Sequence, residues 1–84
     1  MKDTIDLKLF LVNILCDLTE LPEERIRTDI DLGEYGVDSL MAVMLVEEIN
    51  NHFRYEIADY SDISDMSTID EISLYLEQRI KEEA

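Results

Sequence analysis

The chain has little of what interrupts a helix. Two glycines and one proline in 84 residues leave few places for tight turns, which argues against a hairpin-rich β fold and for helices. A single cysteine, Cys16, excludes an internal disulfide and any cysteine-rich metal site, and fits a reducing cytoplasm. A single histidine, His52, and the lack of a Gly-x-Ser-x-Gly elbow around any serine leave no ordinary catalytic constellation, so the chain is not expected to be an enzyme. Basic residues are also scarce. Seven Lys and Arg against 21 Asp and Glu give a net charge of -14, which repels phosphate backbones and anionic membranes and favours protein partners with basic surfaces. The start Met1-Lys2-Asp3 lacks the order of a signal peptide, and the uncharged run 9–16 is too short to span a bilayer. The expectation is a soluble cytoplasmic monomer, one domain over 1–84, with little room for a deep cleft.

Hydrophobic spacing places the helices. Ile5, Leu9, Val12 and Cys16 form one stripe, widened by Leu7, Leu11, Ile14, Leu15 and Leu18, which predicts a helix over 4–18. Leu21-Pro22-Glu23-Glu24 followed by Ile26 suits a single helical turn. From 27 to 38 periodicity is lost, with Gly33 and Gly36 freeing the backbone and Ile30, Leu32, Tyr35 and Val37 available to pin a long ordered loop. The strongest helix covers 39–53, with Ala42, Leu45, Val46, Ile49 and Phe53 on one face. A short turn follows at 59–64. The last helix starts near Ser67 or Thr68, since Ser67 with Asp70 and Thr68 with Glu71 can each form a capping box, and it buries Ile69, Ile72, Leu76 and Ile80. The fold class is all-α, a four-helix bundle with a long loop between the first two main helices and a short third helix.

Ser39 stands out because it follows Gly36-Val37-Asp38 at the opening of the strongest helix. Either Asp38 or Ser39 can cap that helix, and a phosphodiester on Ser39 would sit at the positive end of the helix among free N–H groups. About 100° per residue sets Leu40 and Met44 opposite the core stripe, flanked by Met41, Glu47 and Glu48. An apolar centre with an acidic rim suits a transient protein contact. Cys16 reads as a core residue and His52 as a helix-end residue. Asp59, Asp62 and Asp65 lack the pattern of a calcium loop, so they read as a solvated face and no metal site is expected.

The run Leu32-Gly33-Glu34-Tyr35-Gly36-Val37-Asp38-Ser39-Leu40 resembles the attachment site of the acyl carrier proteins, and with Met41-Ala42-Val43 it is most similar to polyketide carriers. The resemblance extends over the leading helix, the Leu21-Pro22-Glu23-Glu24-Arg25-Ile26 turn, and the stretch from Glu56-Ile57 to Met66-Ser67-Thr68-Ile69. It implies that 4'-phosphopantetheine from coenzyme A is attached to Ser39 by a Mg-dependent phosphopantetheinyl transferase, with Asp38 as the neighbouring acid, and that the arm's thiol holds acyl groups. It also implies docking through Leu40, Met41, Met44, Glu47 and Glu48 to an acyltransferase or acyl ligase, a ketosynthase and related enzymes. Met41 and Met44 stand where fatty-acid carriers more often have acidic residues, which favours a polyketide or specialised lipid pathway. A peptidyl carrier, and a small acidic adaptor without a prosthetic group, are the alternatives.

Overall fold

The computed structural model describes residues 3–54 and 56–83, with the side chains of 3–6 and 83 left aside. Four α-helices follow one another: α1 (Asp3–Thr19), α2 (Ser39–Phe53), α3 (Tyr60–Ile63) and α4 (Ile69–Glu83). Two 3₁₀ turns lie between α1 and α2, at Glu23–Arg25 and Leu32–Tyr35, and the described residues contain no strand. This is the expected all-α bundle.

One hydrophobic core joins the helices. Leu7, Leu11, Ile14 and Leu15 of α1 meet Leu45, Val46 and Ile49 of α2 and Ile69, Ile72 and Leu76 of α4, with Ile26, Leu32, Ile57 and Ile63 closing it from the connections. Full burial of such side chains stabilises by roughly 1.5–3 kcal/mol each before conformational entropy is charged against it. The stripe expected on α1 needs one correction. Leu9 is 47% exposed, because Leu7, Leu11 and Leu15 hold the centre of the buried face and Leu9 lies about 200° from both Leu7 and Leu11. Ile5, expected on the same stripe, has its side chain outside the described residues. Ile30, expected as a loop anchor, is only half-buried.

The long loop is held by named bonds. Asp31 caps the second 3₁₀ turn by accepting the Gly33 N–H at 2.8 Å, and Gly36 ends that turn at φ 83°. This is the left-handed region, where glycine avoids a penalty that other residues carry. The Tyr35 hydroxyl accepts the Arg27 N–H at 2.7 Å and donates to the Arg27 carbonyl at 3.3 Å. Two backbone bonds then fasten the loop to the start of α4, Leu32 N–H to the Ser67 carbonyl (2.7 Å) and Asp70 N–H to the Thr28 carbonyl (3.0 Å).

α4 starts with Thr68 as its cap. Thr68 Oγ1 accepts the Glu71 N–H at 3.2 Å, while the Glu71 carboxylate reaches past Thr68 to accept the Ser67 N–H at 2.6 Å. Of the two capping boxes open in the sequence, the Thr68–Glu71 pair is used, shifted by one residue on the return bond.

Asp70, on the first turn of α4, lies 3.1 Å from the Lys8 ammonium of α1. The neighbouring Thr28 side chain and then the Lys8 ammonium hold its carboxyl below the ordinary carboxylate range. An acid with a depressed folded pKa contributes stability that is present above its unfolded pKa of about 4 and is lost as pH falls through the folded value. The Asp70→Asn protein is therefore expected to be less stable than the parent at neutral pH, and the two denaturation midpoints should converge as the pH is lowered below about 4. Urea melts of the pair between neutral and acid pH check this.

Candidate functional site

Ser39 is the first residue of α2 and is exposed. The cap of that helix is Asp38, whose backbone is extended and whose carboxylate accepts the Met41 N–H at 2.9 Å, while its carbonyl accepts the Ala42 N–H at 2.9 Å. The sequence leaves open which of the two caps the helix. Because Asp38 does so, the Ser39 hydroxyl is left without a hydrogen bond among the described residues and faces outward at the positive end of a 15-residue helix. Asp38→Ala should lower stability by about 1 kcal/mol, the usual worth of a side-chain cap, and a chemical-denaturation midpoint measures it.

The other four serines are placed differently. Ser73 is buried and donates to the Asp70 carbonyl at 2.9 Å, Ser61 donates to the Asp59 carboxylate at 2.9 Å, and Ser64 donates to the Ser61 carbonyl at 3.1 Å. Ser67 precedes the α4 cap, with its N–H held by Glu71.

A groove of about 380 Å³ opens beside Ser39, within the range that small-molecule sites occupy. One wall is Asp38, Ser39, Ala42 and Leu45 with the loop behind them, and the other is α3 with the residues after it, Tyr60, Ile63, Ser64 and Met66. No single segment builds it, since the α2 wall ends at Leu45 and the α3 wall begins at Tyr60, 15 residues later in the chain.

The outward face of α2 carries the expected apolar row. Leu40 is 68% exposed and Met44 is 41% exposed, with Val43 beside them. Glu47 and Glu48 are exposed, and Met41 is half-buried. Val43 adds to the expected row, and its position one turn after Leu40 is the sequence signal for it. Leu40, Val43, Met44 and Glu47 therefore follow one another along a single face that starts next to Ser39.

The remaining chemistry-bearing residues lie elsewhere. Cys16 is half-buried against the core, and burial, then the charges of Glu23, Asp17 and Glu24, push its thiol above the ordinary value, which disfavours the reactive thiolate. The His52 ring lies 4.4 Å from Phe10 and 5.1 Å from Phe53, centre to centre, so it closes an aromatic cluster at the far end of α2. Asp59 caps α3 by accepting the Ser61 N–H, which with the Ser61 hydroxyl holds its carboxyl below the ordinary range. Asp62 accepts from Tyr75. Among the described residues no helix is long and apolar enough to cross a membrane.

The sequence profile described as "Phosphopantetheine attachment site" matches residues 10–76, a span that includes Ser39 and both walls of the groove. Among curated proteins, the chain is similar to a clavatol synthase of Penicillium crustosum, 43% identical over 49 residues, which is 58% of this chain and 2% of that protein. It is 39% identical over 59 residues to a 3-methylorcinaldehyde synthase of Talaromyces stipitatus, 70% of this chain and 2% of that protein. It is 29% identical over 68 residues to a citrinin polyketide synthase of Monascus ruber, 79% of this chain and 3% of that protein. The chain thus spans only a few hundredths of the length of these relatives. No solved structure gives a significant match.

Proposed function

The chain belongs to the phosphopantetheine attachment-site family of non-catalytic carriers, and we propose that Ser39 bears the arm and that the chain carries acyl intermediates of polyketide biosynthesis on it. The observation that carries this reading is the division of labour at the α2 start: Asp38 takes the cap, so the Ser39 hydroxyl stays exposed, without a hydrogen bond among the described residues, beside a groove. The residues present suit the group. An attachment point needs an accessible hydroxyl, and a phosphodiester on it gains from the N–H groups at the first turn of α2 that the cap leaves unused. When attached, the arm supplies a terminal thiol that holds an acyl group as a thioester activated for transfer and condensation.

Ser39 forms one new P–O bond in this modification, as the pyrophosphate bond of coenzyme A breaks and adenosine bisphosphate leaves; the serine proton passes to the phosphopantetheinyl transferase. Leu40, Val43 and Met44 offer the apolar centre of a docking face, and Glu47 and Glu48 an acidic rim for basic partner surfaces. The partners proposed are that transferase, an acyltransferase or acyl ligase, and a ketosynthase. Residues 1–84 act as a single carrier unit, monomeric and cytoplasmic, whether alone or within a longer synthase.

The polyketide assignment rests on the resemblance to the three synthases. It is tested by charging the arm in two ways. A malonyl group on the loaded protein should condense with the acyl group held by a polyketide ketosynthase, losing CO2 and leaving a β-ketoacyl group on the arm, and the protein should not be charged by amino-acid-activating adenylation enzymes. Efficient aminoacyl charging without condensation of the malonyl form would instead establish the peptidyl-carrier alternative.

A further inference from the structure

We propose that Tyr75 of α4 is a latch that fixes α3 and thereby sets how far the groove beside Ser39 opens to the chain carried there, a reading that rests on Ser39 as the attachment point. α3 is one turn long with one buried side chain, Ile63. A helix of that length has no stability of its own and takes its position from bonds to its neighbours.

The segment leading into α3 is anchored on both sides. The Asn50 side chain of α2 donates to the Ala58 carbonyl at 3.0 Å and accepts the Ala58 N–H at 2.8 Å, and Arg79 Nε of α4 donates to the Ile57 carbonyl at 3.0 Å. After α3, the Ser67 carbonyl is held by the Leu32 N–H at 2.7 Å. Between these anchors, one atom joins both ends of α3 to α4. The Tyr75 hydroxyl accepts the N–H of Asp59, the cap of α3, at 3.1 Å and donates to Oδ2 of Asp62, its third residue, at 2.9 Å.

The latch lies behind the wall it holds. Tyr60 and Ile63 of α3 and Ser64 just after it line the groove, whereas Asp59 and Tyr75 do not. Its ring is half-buried and packs under the Arg79 guanidinium, 5.8 Å from the ring centre, so its aim toward α3 is set by α4. A phenol at its ordinary value of about 10 is already protonated at neutral pH, and burial pushes this one higher, so the hydroxyl carries the proton that Asp62 accepts. Losing the hydroxyl leaves α3 anchored at 57–58 and at Ser67 but loose between, and the wall facing Ser39 becomes movable.

Tyr75→Phe keeps the ring and removes both bonds. In the protein without the arm, amide exchange over 60–66 should accelerate by about tenfold or more, while protected amides of α1 and α4 change by less than about threefold. Asp62→Ala, which leaves the ring and the Asp59 bond in place, should give a smaller acceleration at the same amides. Arms ending in an environment-sensitive fluorophore on a short and a long acyl spacer are then loaded onto Ser39. The variant should shift the emission of the long form and leave the short form as in the parent. Unchanged exchange over 60–66, or a uniform rise along the whole chain, overturns the latch. Local acceleration with identical emission from both loaded forms overturns the link to the groove. A parent protein that takes up no arm refutes the attachment reading instead, and the exchange result then decides the latch alone.

Discussion

Ser39→Ala is expected to abolish uptake of the phosphopantetheine arm completely while leaving the bundle folded. The separation of these two effects follows from the α2 start. In a helix that Ser39 capped, its removal would cost about 1 kcal/mol and confuse loss of the site with loss of the fold. Here the Met41 N–H is bonded to Asp38, and alanine is a good helix former at the position Ser39 occupies. The stability change should stay within about 0.5 kcal/mol, which for a domain of this size is a melting shift of about 2–4 °C at most. Incubation of both proteins with coenzyme A and a broad-range transferase, read by intact mass beside a thermal melt, checks both halves. A melting point near the parent's with no mass gain is the expected pair.

The second large effect is expected on docking. Glu47→Lys combined with Glu48→Lys changes the charge of the α2 rim by four units in a protein whose net charge is -14, and both side chains are exposed. Steering by complementary charge raises association rates by about 10–10³-fold at low salt. Reversal should therefore slow acyl transfer to the native ketosynthase by about tenfold or more at low ionic strength, with the deficit shrinking as salt screens the field. Transfer rates across a salt series, under conditions limited by association, measure it. The helix itself should be unaffected, since its buried face is Leu45, Val46 and Ile49. Equal rates at low salt would make the acidic rim a solvated surface and leave Leu40, Val43 and Met44 to carry recognition.

Much of this arrangement is legible in the chain before any coordinates. α2 is readable at both ends because Asp38-Ser39 opens it and Phe53 closes its apolar stripe, and the observed span is Ser39–Phe53. The start of α4 is readable as a capping signal, though not which box forms, since Ser67–Asp70 and Thr68–Glu71 are both open in the sequence; in the structure the Asp70 N–H that a Ser67 cap would use is bonded to the Thr28 carbonyl of the loop. α1 is harder. Apolar residues occur on more than one of its faces, so periodicity alone does not reveal that Leu9 lies outside.

Three features were not legible, each for a physical reason. The 3₁₀ turn at Leu32–Tyr35 rests on the Asp31 cap and the left-handed Gly36, which are local bonds without hydrophobic period. The cap of α2 could be assigned to Asp38 or Ser39, because both side chains are good acceptors at that position; the extended backbone of Asp38 settles it. The groove and the Tyr75 bonds join segments distant in the chain, and neither composition nor spacing encodes such a meeting. Tyr75 itself looks like an ordinary flank of the Ile72 and Leu76 stripe.

The most direct test of the central claim is where the arm is attached. The protein co-expressed with a phosphopantetheinyl transferase is digested, and the modified peptide is sequenced by fragment masses. A single phosphopantetheine on Ser39, in a protein whose total mass has risen by one such group, is the expected result. A protein that stays unmodified under conditions that convert a known carrier, or one that bears the group on Ser61, Ser64, Ser67 or Ser73 instead, would contradict it.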